Sequence, residues 1–143
     1  MINAVTEAIS AALDGTFGDG CEIYRESIRQ GLTEPCFFIQ VLSPSVRQVR
    51  MNRYFRSYAF CIQYFPKSEE KRKECGKTAE QMMDCLEYIR MDGEDHPLRG
   101  TEMHYEIVDD VLNFFVTYDC YVYRQTGQET VMESMQSGID PGR

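Results

Sequence analysis

Apolar positions recur along this chain with two periods, and the changes from one period to the other mark out its elements. Residues 2–13 place Ile2, Val5, Ile9, Ala12 and Leu13 at steps of three, four, three and one, the stripe of a helix that packs on one face. Gly15, Gly18 and Gly20 are expected to end that helix, and a short strand is predicted around residues 21–26. Glu34-Pro35 then introduces Cys36-Phe37-Phe38-Ile39-Gln40-Val41-Leu42, too short for a typical helix and aromatic enough for a central strand, which Ser43-Pro44-Ser45 breaks. Over residues 53–65 the period becomes two, with Tyr58, Phe60, Ile62 and Tyr64 on one face and Ser57, Ala59, Cys61 and Gln63 on the other. That is a long strand with one buried face.

Pro66-Lys67-Ser68 stops this strand and offers Ser68 as the N-cap of a second helix, with Glu69 and Glu70 in the first turn, where the helix dipole favours negative charge. Its seam of Cys75, Ala79, Met82, Leu86 and Ile89 keeps steps of four, three, four and three, and Asp92-Gly93 supplies a stop. Residues 103–108 and 111–124 flank Asp109-Asp110, a two-residue connection of the length that makes a tight hairpin. The second arm sets Leu112, Phe114, Val116, Tyr118, Cys120 and Val122 against Asn113, Phe115, Thr117, Asp119 and Tyr121, so one face is core and the other mixed. The predicted order is α-β-β-β-α-β-β: an α+β fold, with a mainly antiparallel sheet of about five strands packed with two helices. Residues 1–125 form one domain, and residues 126–143, mostly small, polar or acidic, are expected to be a flexible tail or assembly arm.

Charge narrows the classes of function. The net charge of -8 and pI near 4.8 argue against a surface that grips nucleic acid, because phosphate affinity comes from neutralising many charges with Lys and Arg. No stretch reaches the length of a membrane span. The first apolar segment carries Glu7 and lacks a preceding Lys or Arg, so it does not read as a signal peptide and a cytoplasmic location is expected. Six cysteines scattered through apparent strands and helices read as reduced, buried thiols rather than a disulfide framework.

Catalytic and metal-binding patterns are not found. Gly15, Gly18 and Gly20 follow a helix, whereas a phosphate loop follows a strand and opens a helix. His96 and His104 lack the spacing that gathers ligands onto a metal, and Asp92-Gly93-Glu94-Asp95 lacks the alternating ligands of a calcium loop. No serine sits in a nucleophile elbow and no cysteine has a catalytic signature. No cofactor and no metal is expected.

One charge feature stands out: Arg47, Arg50, Arg53 and Arg56 fall within ten residues of an otherwise acidic chain, starting in the loop after the second strand and entering the third. One reading is a solvated loop whose charged strand edge discourages aggregation. The other is a docking surface for an acidic patch on another subunit, with Asp109 and Asp110 as a candidate counterpart.

Short segments in a fixed order carry a further likeness: Glu34-Pro35-Cys36-Phe37-Phe38-Ile39, Asn52-Arg53-Tyr54, Tyr64-Phe65-Pro66-Lys67-Ser68, Leu86-Glu87-Tyr88-Ile89, Glu106-Ile107-Val108-Asp109 and Leu112-Asn113-Phe114-Phe115-Val116. Over roughly residues 1–125 the chain resembles a tail terminator family of phages and prophages of Gram-positive bacteria. It departs at Asp110, where a Gly is expected, and in its tail. The resemblance implies an α+β fold, a ring that is commonly hexameric, and no catalysis. It further implies a structural role: capping the head-proximal end of the tail tube, stopping its growth and docking the head connector or stopper. The partners implied are other copies of the chain, the tube protein and the connector, with DNA only passing through the channel and no membrane. The places implied are the host cytoplasm during assembly and the head–tail junction of the virion. It transfers no individual contact residues. The alternative is a small-molecule-binding or enzymatic α+β domain with a pocket between the second helix and the sheet.

Overall fold

The structure, a computed structural model, describes residues 2–18, 20–25, 33–94, 96–125 and 128–129. In chain order the elements are α1 (Ile2–Phe17), β1 (Glu22–Tyr24), β2 (Cys36–Val41), β3 (Ser45–Arg50), β4 (Arg53–Phe65), α2 (Lys71–Cys85), β5 (Tyr88–Ile89), β6 (Leu98–Val108), β7 (Val111–Gln125) and β8 (Gln128–Glu129). The expected tail, residues 126–143, lies outside the described residues apart from β8, which pairs with the end of β7. Asp95 of the acidic turn also lies outside them.

The strands form one sheet in the order β1-β2-β4-β7-β6-β5, with β3 added beside β4 and β8 beside β7. This corrects the expected mainly antiparallel sheet of about five strands. The sheet is mixed, since β1 runs parallel to β2, and among the described residues it has eight strands. Alternation reveals which face a strand buries but not which way its neighbour runs, and the three unforeseen strands hide for separate reasons. β3 is exposed at every position, while β5 and β8 are two residues each. Arg47 and Arg50 therefore lie in a strand, not in a loop.

β4 and β7 are the spine, paired without a break from Arg53↔Tyr123 to Tyr64↔Leu112. Facing residues of such a pair share a face, so Tyr58, Phe60, Ile62 and Tyr64 meet Leu112, Phe114, Val116 and Tyr118 in one buried layer. Both helices join that layer, α1 through Val5, Ala8, Ile9 and Leu13 and α2 through Cys75, Ala79 and Met82. These side chains fill the space between α2 and the sheet where the alternative reading wanted a pocket. The opposite, open face of the sheet carries Phe55, Cys61, Phe115, Asp119 and Tyr121.

Helix boundaries differ from the expected ones for local reasons. α1 runs through Gly15, and closure comes at Gly18, whose φ of 77° suits glycine and whose N–H donates to the Asp14 carbonyl at 2.9 Å. α2 starts at Lys71, and Ser68 does not cap it. Instead the Glu74 carboxylate reaches back, accepting the N–H groups of Ser68 (2.9 Å) and Lys67 (3.2 Å) and the Tyr64 hydroxyl (2.5 Å). At its other end α2 stops at Cys85, ahead of the expected Asp92-Gly93. The next carbonyls serve the sheet: Leu86 O accepts the Tyr118 hydroxyl and Glu87 O accepts the Gly100 N–H, each at 2.6 Å. Ile89, read as the last turn of the helical seam, is in β5.

Candidate assembly interface

β3 and β4 make a hairpin closed by the two-residue turn Met51-Asn52, with Arg50 opposite Arg53. Valines at 46 and 49 support an extended backbone in β3, and the Gln48 side chain ties the turn by donating to the Met51 carbonyl at 2.8 Å. The apolar residues of this hairpin face solvent: Met51 is 90% exposed and Val46 58%. The hairpin thus leaves large apolar side chains in solvent.

A register shift between Gln48 and Arg50 leaves Val49 as an extra residue, and this bulge places Arg47 and Arg50 on the same face. On that open face Arg47 lies over the Phe55 ring (5.2 Å), Phe55 packs on Tyr121 (5.2 Å), and the Arg53 guanidinium sits 4.1 Å from the Tyr121 centroid. The arginines thus sandwich an aromatic pair, an arrangement favoured by the negative ring faces. Arg53 Nε is buried with no hydrogen-bond partner, as is Asp119 Oδ1 on the neighbouring strand. Arg56 faces the opposite way, beside Val46.

Asp109 and Asp110 lie at the far end of the spine. They form the β6–β7 turn with φ of 52° and 63°, the left-handed pair of a tight hairpin turn. Twelve paired positions of β4 and β7 separate the two ends, about 40 Å at ~3.3 Å per residue. The structure therefore brings Arg47, Arg50 and Arg53 together and sets Asp109 and Asp110 apart from them. Asp110 also borders Glu69, Glu70, Lys71, Arg72 and Lys73 around the start of α2, so the acidic turn has charged neighbours of both signs.

The chemistry elsewhere is quiet. Burial pushes the thiols up, Cys21 and Cys36 to about 11 and Cys120 to about 12, which keeps them protonated and weakly nucleophilic near neutral pH. His96 is exposed, and His104, also exposed, stacks on Phe115 with centroids 4.7 Å apart. Among the described residues no group of three or more His, Cys, Asp and Glu side chains is placed to hold a metal ion, and no helix is long and apolar enough to cross a membrane. Sequence reasoning missed the apolar part of the hairpin, Val46, Val49 and Met51. The signal present was the β-branched pair flanked by arginines and closed by a two-residue turn.

The comparisons with known proteins fit an α+β protein of this kind. A chain of a solved structure titled "Virion of native gene transfer agent (GTA) particle" shares the fold, with a TM-score of 0.51 at 11% identity over 85% of this chain and 96% of that one. No curated protein matches the sequence. A family profile described as "Phage tail terminator protein" matches residues 4–130. The chain belongs to the phage tail terminator family, whose members are structural proteins of the phage tail.

Proposed function

We propose that this chain caps the head-proximal end of the tail tube as a ring of copies, commonly six in proteins it resembles, stops tube polymerisation and docks the head connector or stopper. The observation that carries the proposal is the family match over residues 4–130, and the solvent-facing β3–β4 hairpin gives that role a surface to act through. A closed ring needs a heterologous contact, in which one patch meets a different patch on the neighbour. Arg47, Arg50 and Arg53 at one end of the spine and Asp109 and Asp110 at the other give the chain charged groups of opposite sign, well separated, from which such a contact can draw. The net charge of -8 suits a channel that DNA crosses without sticking, because a wall of like charge offers phosphates no counterion-release gain.

The test is negative-stain microscopy of the protein with and without its co-encoded tube protein. Rings, and tubes capped at one end with limited growth, are the expected result; tubes that lengthen regardless of this protein would overturn the proposal. The triple change Arg47→Glu, Arg50→Glu, Arg53→Glu is expected to abolish assembly. Rings that survive it would remove the arginines from the interface.

A further inference from the structure

We infer that neighbouring copies join by sheet edge, the outer edge of β3 in one copy pairing with the outer edge of β6 in the next. The inference rests on the ring reading above and names its contact. β3 bonds to β4 on one side and, among the described residues, has no ladder partner on the other. β6 bonds to β7, while β5 reaches only Leu98 and Arg99 on its far side, so that, among the described residues, 102–108 have no ladder partner there. An open edge is a row of unpaired N–H and C=O groups, and most proteins blunt theirs. Among the described residues the two longest open edges, six residues of β3 and seven of β6, match each other at about 20 Å, at ~3.3 Å per residue.

Their charges complement each other on a single face. The β3 bulge turns Arg47 and Arg50 to the open face of the sheet. His104 and Glu106 stand on that same face, opposite Phe115 and Asn113 of β7. A second bulge, between Thr101 and His104, holds the exposed Glu102 at a φ of 53°, two residues before His104 along the same edge. In a sheet continued from one copy to the next, arginines of β3 and glutamates of β6 become cross-strand neighbours, and opposite charges in that position are favourable. Either edge meeting its own kind would set like charges together, which selects the head-to-tail contact that a ring needs over a two-fold dimer.

Strand direction is also compatible, and the stagger sets the tilt that a ring would need. β3, β4, β7 and β6 alternate in direction, so repeating this four-strand unit presents β6 antiparallel to the next β3. The two edges are not level: Arg47 lines up with Tyr121 of β7 and Tyr105 with Phe114, seven residues apart. That stagger is about 23 Å along the strands, against ~19 Å across four strands. A ring closes only if the strands lean about 50° from its axis, somewhat more than the tilt by which barrels absorb their shear.

The experiment uses the full chain with its tube protein and reads capped tubes by microscopy, assembly by light scattering and fold by circular dichroism. Arg47→Glu with Arg50→Glu, and separately Glu102→Arg with Glu106→Arg, are each expected to weaken assembly about tenfold or more while the fold holds. All four changes in one chain are expected to restore it. An equimolar mixture of Arg47→Cys and Glu106→Cys chains, oxidised after assembly, is expected to give disulfide-linked pairs above the background of the unsubstituted protein. Capped tubes with neither restoration nor cross-links would overturn the edge pairing and leave the capping role standing. Failure of the unsubstituted protein to cap tubes would overturn the capping role and the edge pairing with it.

Discussion

The two ends of the β4–β7 spine are built from the same strands and differ in what covers them. Where Ile62 faces Phe114 and Tyr64 faces Leu112, α2 covers the sheet and these side chains are almost wholly removed from water. At the other end Phe55 faces Tyr121 on the uncovered side, and the hairpin carrying Val46 and Met51 leaves apolar surface in solvent. Burial is worth about 25 cal/mol per Å² of apolar area, so the covered end supplies stability within one chain. The hairpin end can collect the same gain only from a second molecule. Substitutions are therefore expected to separate, with loss of fold from the covered layer and loss of assembly without loss of fold from the exposed hairpin.

The sharpest break comes from the covered end. Phe114→Ala removes a fully buried ring and is expected to cost about 3–5 kcal/mol, read as a large fall in the thermal midpoint together with loss of assembly. Tyr118→Phe comes next. It leaves Leu86 O at the end of α2 without its hydroxyl partner, a buried acceptor whose loss costs about 1–3 kcal/mol.

Glu74 adds a pH signature to the same end. Partial burial pushes its carboxyl up, but hydrogen bonds from Tyr64, Ser68 and Lys67 outweigh that and hold it down at about 2. Burial and the Glu74 contact raise the Tyr64 hydroxyl, so the donor stays protonated through neutral pH. A depressed folded-state value means the stabilisation is present above the usual 4.5 and is lost as pH falls from there toward 2. Glu74→Gln is expected to remove about 1–3 kcal/mol at neutral pH and to flatten the decline in that acid window. An unchanged acid profile in the variant would place the acid sensitivity elsewhere.

What the sequence disclosed follows the same division. The spine was legible because one-sided burial writes a period of two: the predicted strand over residues 53–65 has the bounds of β4. The seam Cys75, Ala79, Met82, Leu86 was legible for the same reason, and all four are buried. Its continuation to Ile89 was misleading because helix and strand there bury against the same layer, and a step of three does not say which backbone carries it. Strand β3 was illegible because exposure at every position erases alternation. The arginines were found from composition alone, and their common face depends on a bulge, a backbone feature that residue spacing does not encode. Similarly, the glutamates of β6 gained meaning only once β5 proved too short to cover that edge.

A smaller effect tests the far turn. Asp109 and Asp110 hold left-handed backbone that glycine adopts without a Cβ penalty. Asp110→Gly is expected to stabilise the fold by about 0.5–1 kcal/mol, raising the thermal midpoint. Because it also removes a charge, a more stable chain that assembles less well would assign Asp110 to the contact, whereas a more stable chain with undiminished assembly would assign it to the turn alone.

The least change in stability is expected at the hairpin tip, and there the contrast between the two ends is most exposed to failure. Met51 is 90% exposed and its side chain gives little to the isolated fold, so Met51→Ser should leave unfolding within about 0.5 kcal/mol of the parent. The backbone carbonyl that binds Gln48 is retained, which keeps the turn itself intact. Capping of tubes, by contrast, should weaken, because an apolar side chain held in solvent at this turn gains free energy only when a partner covers it. The comparison is made on one protein preparation, thermal unfolding against tube-length distribution. A variant that melts with the parent yet fails to limit tube length would separate the two ends as argued. A variant that caps normally would leave the tip as solvated turn and confine the contact to the strand edge.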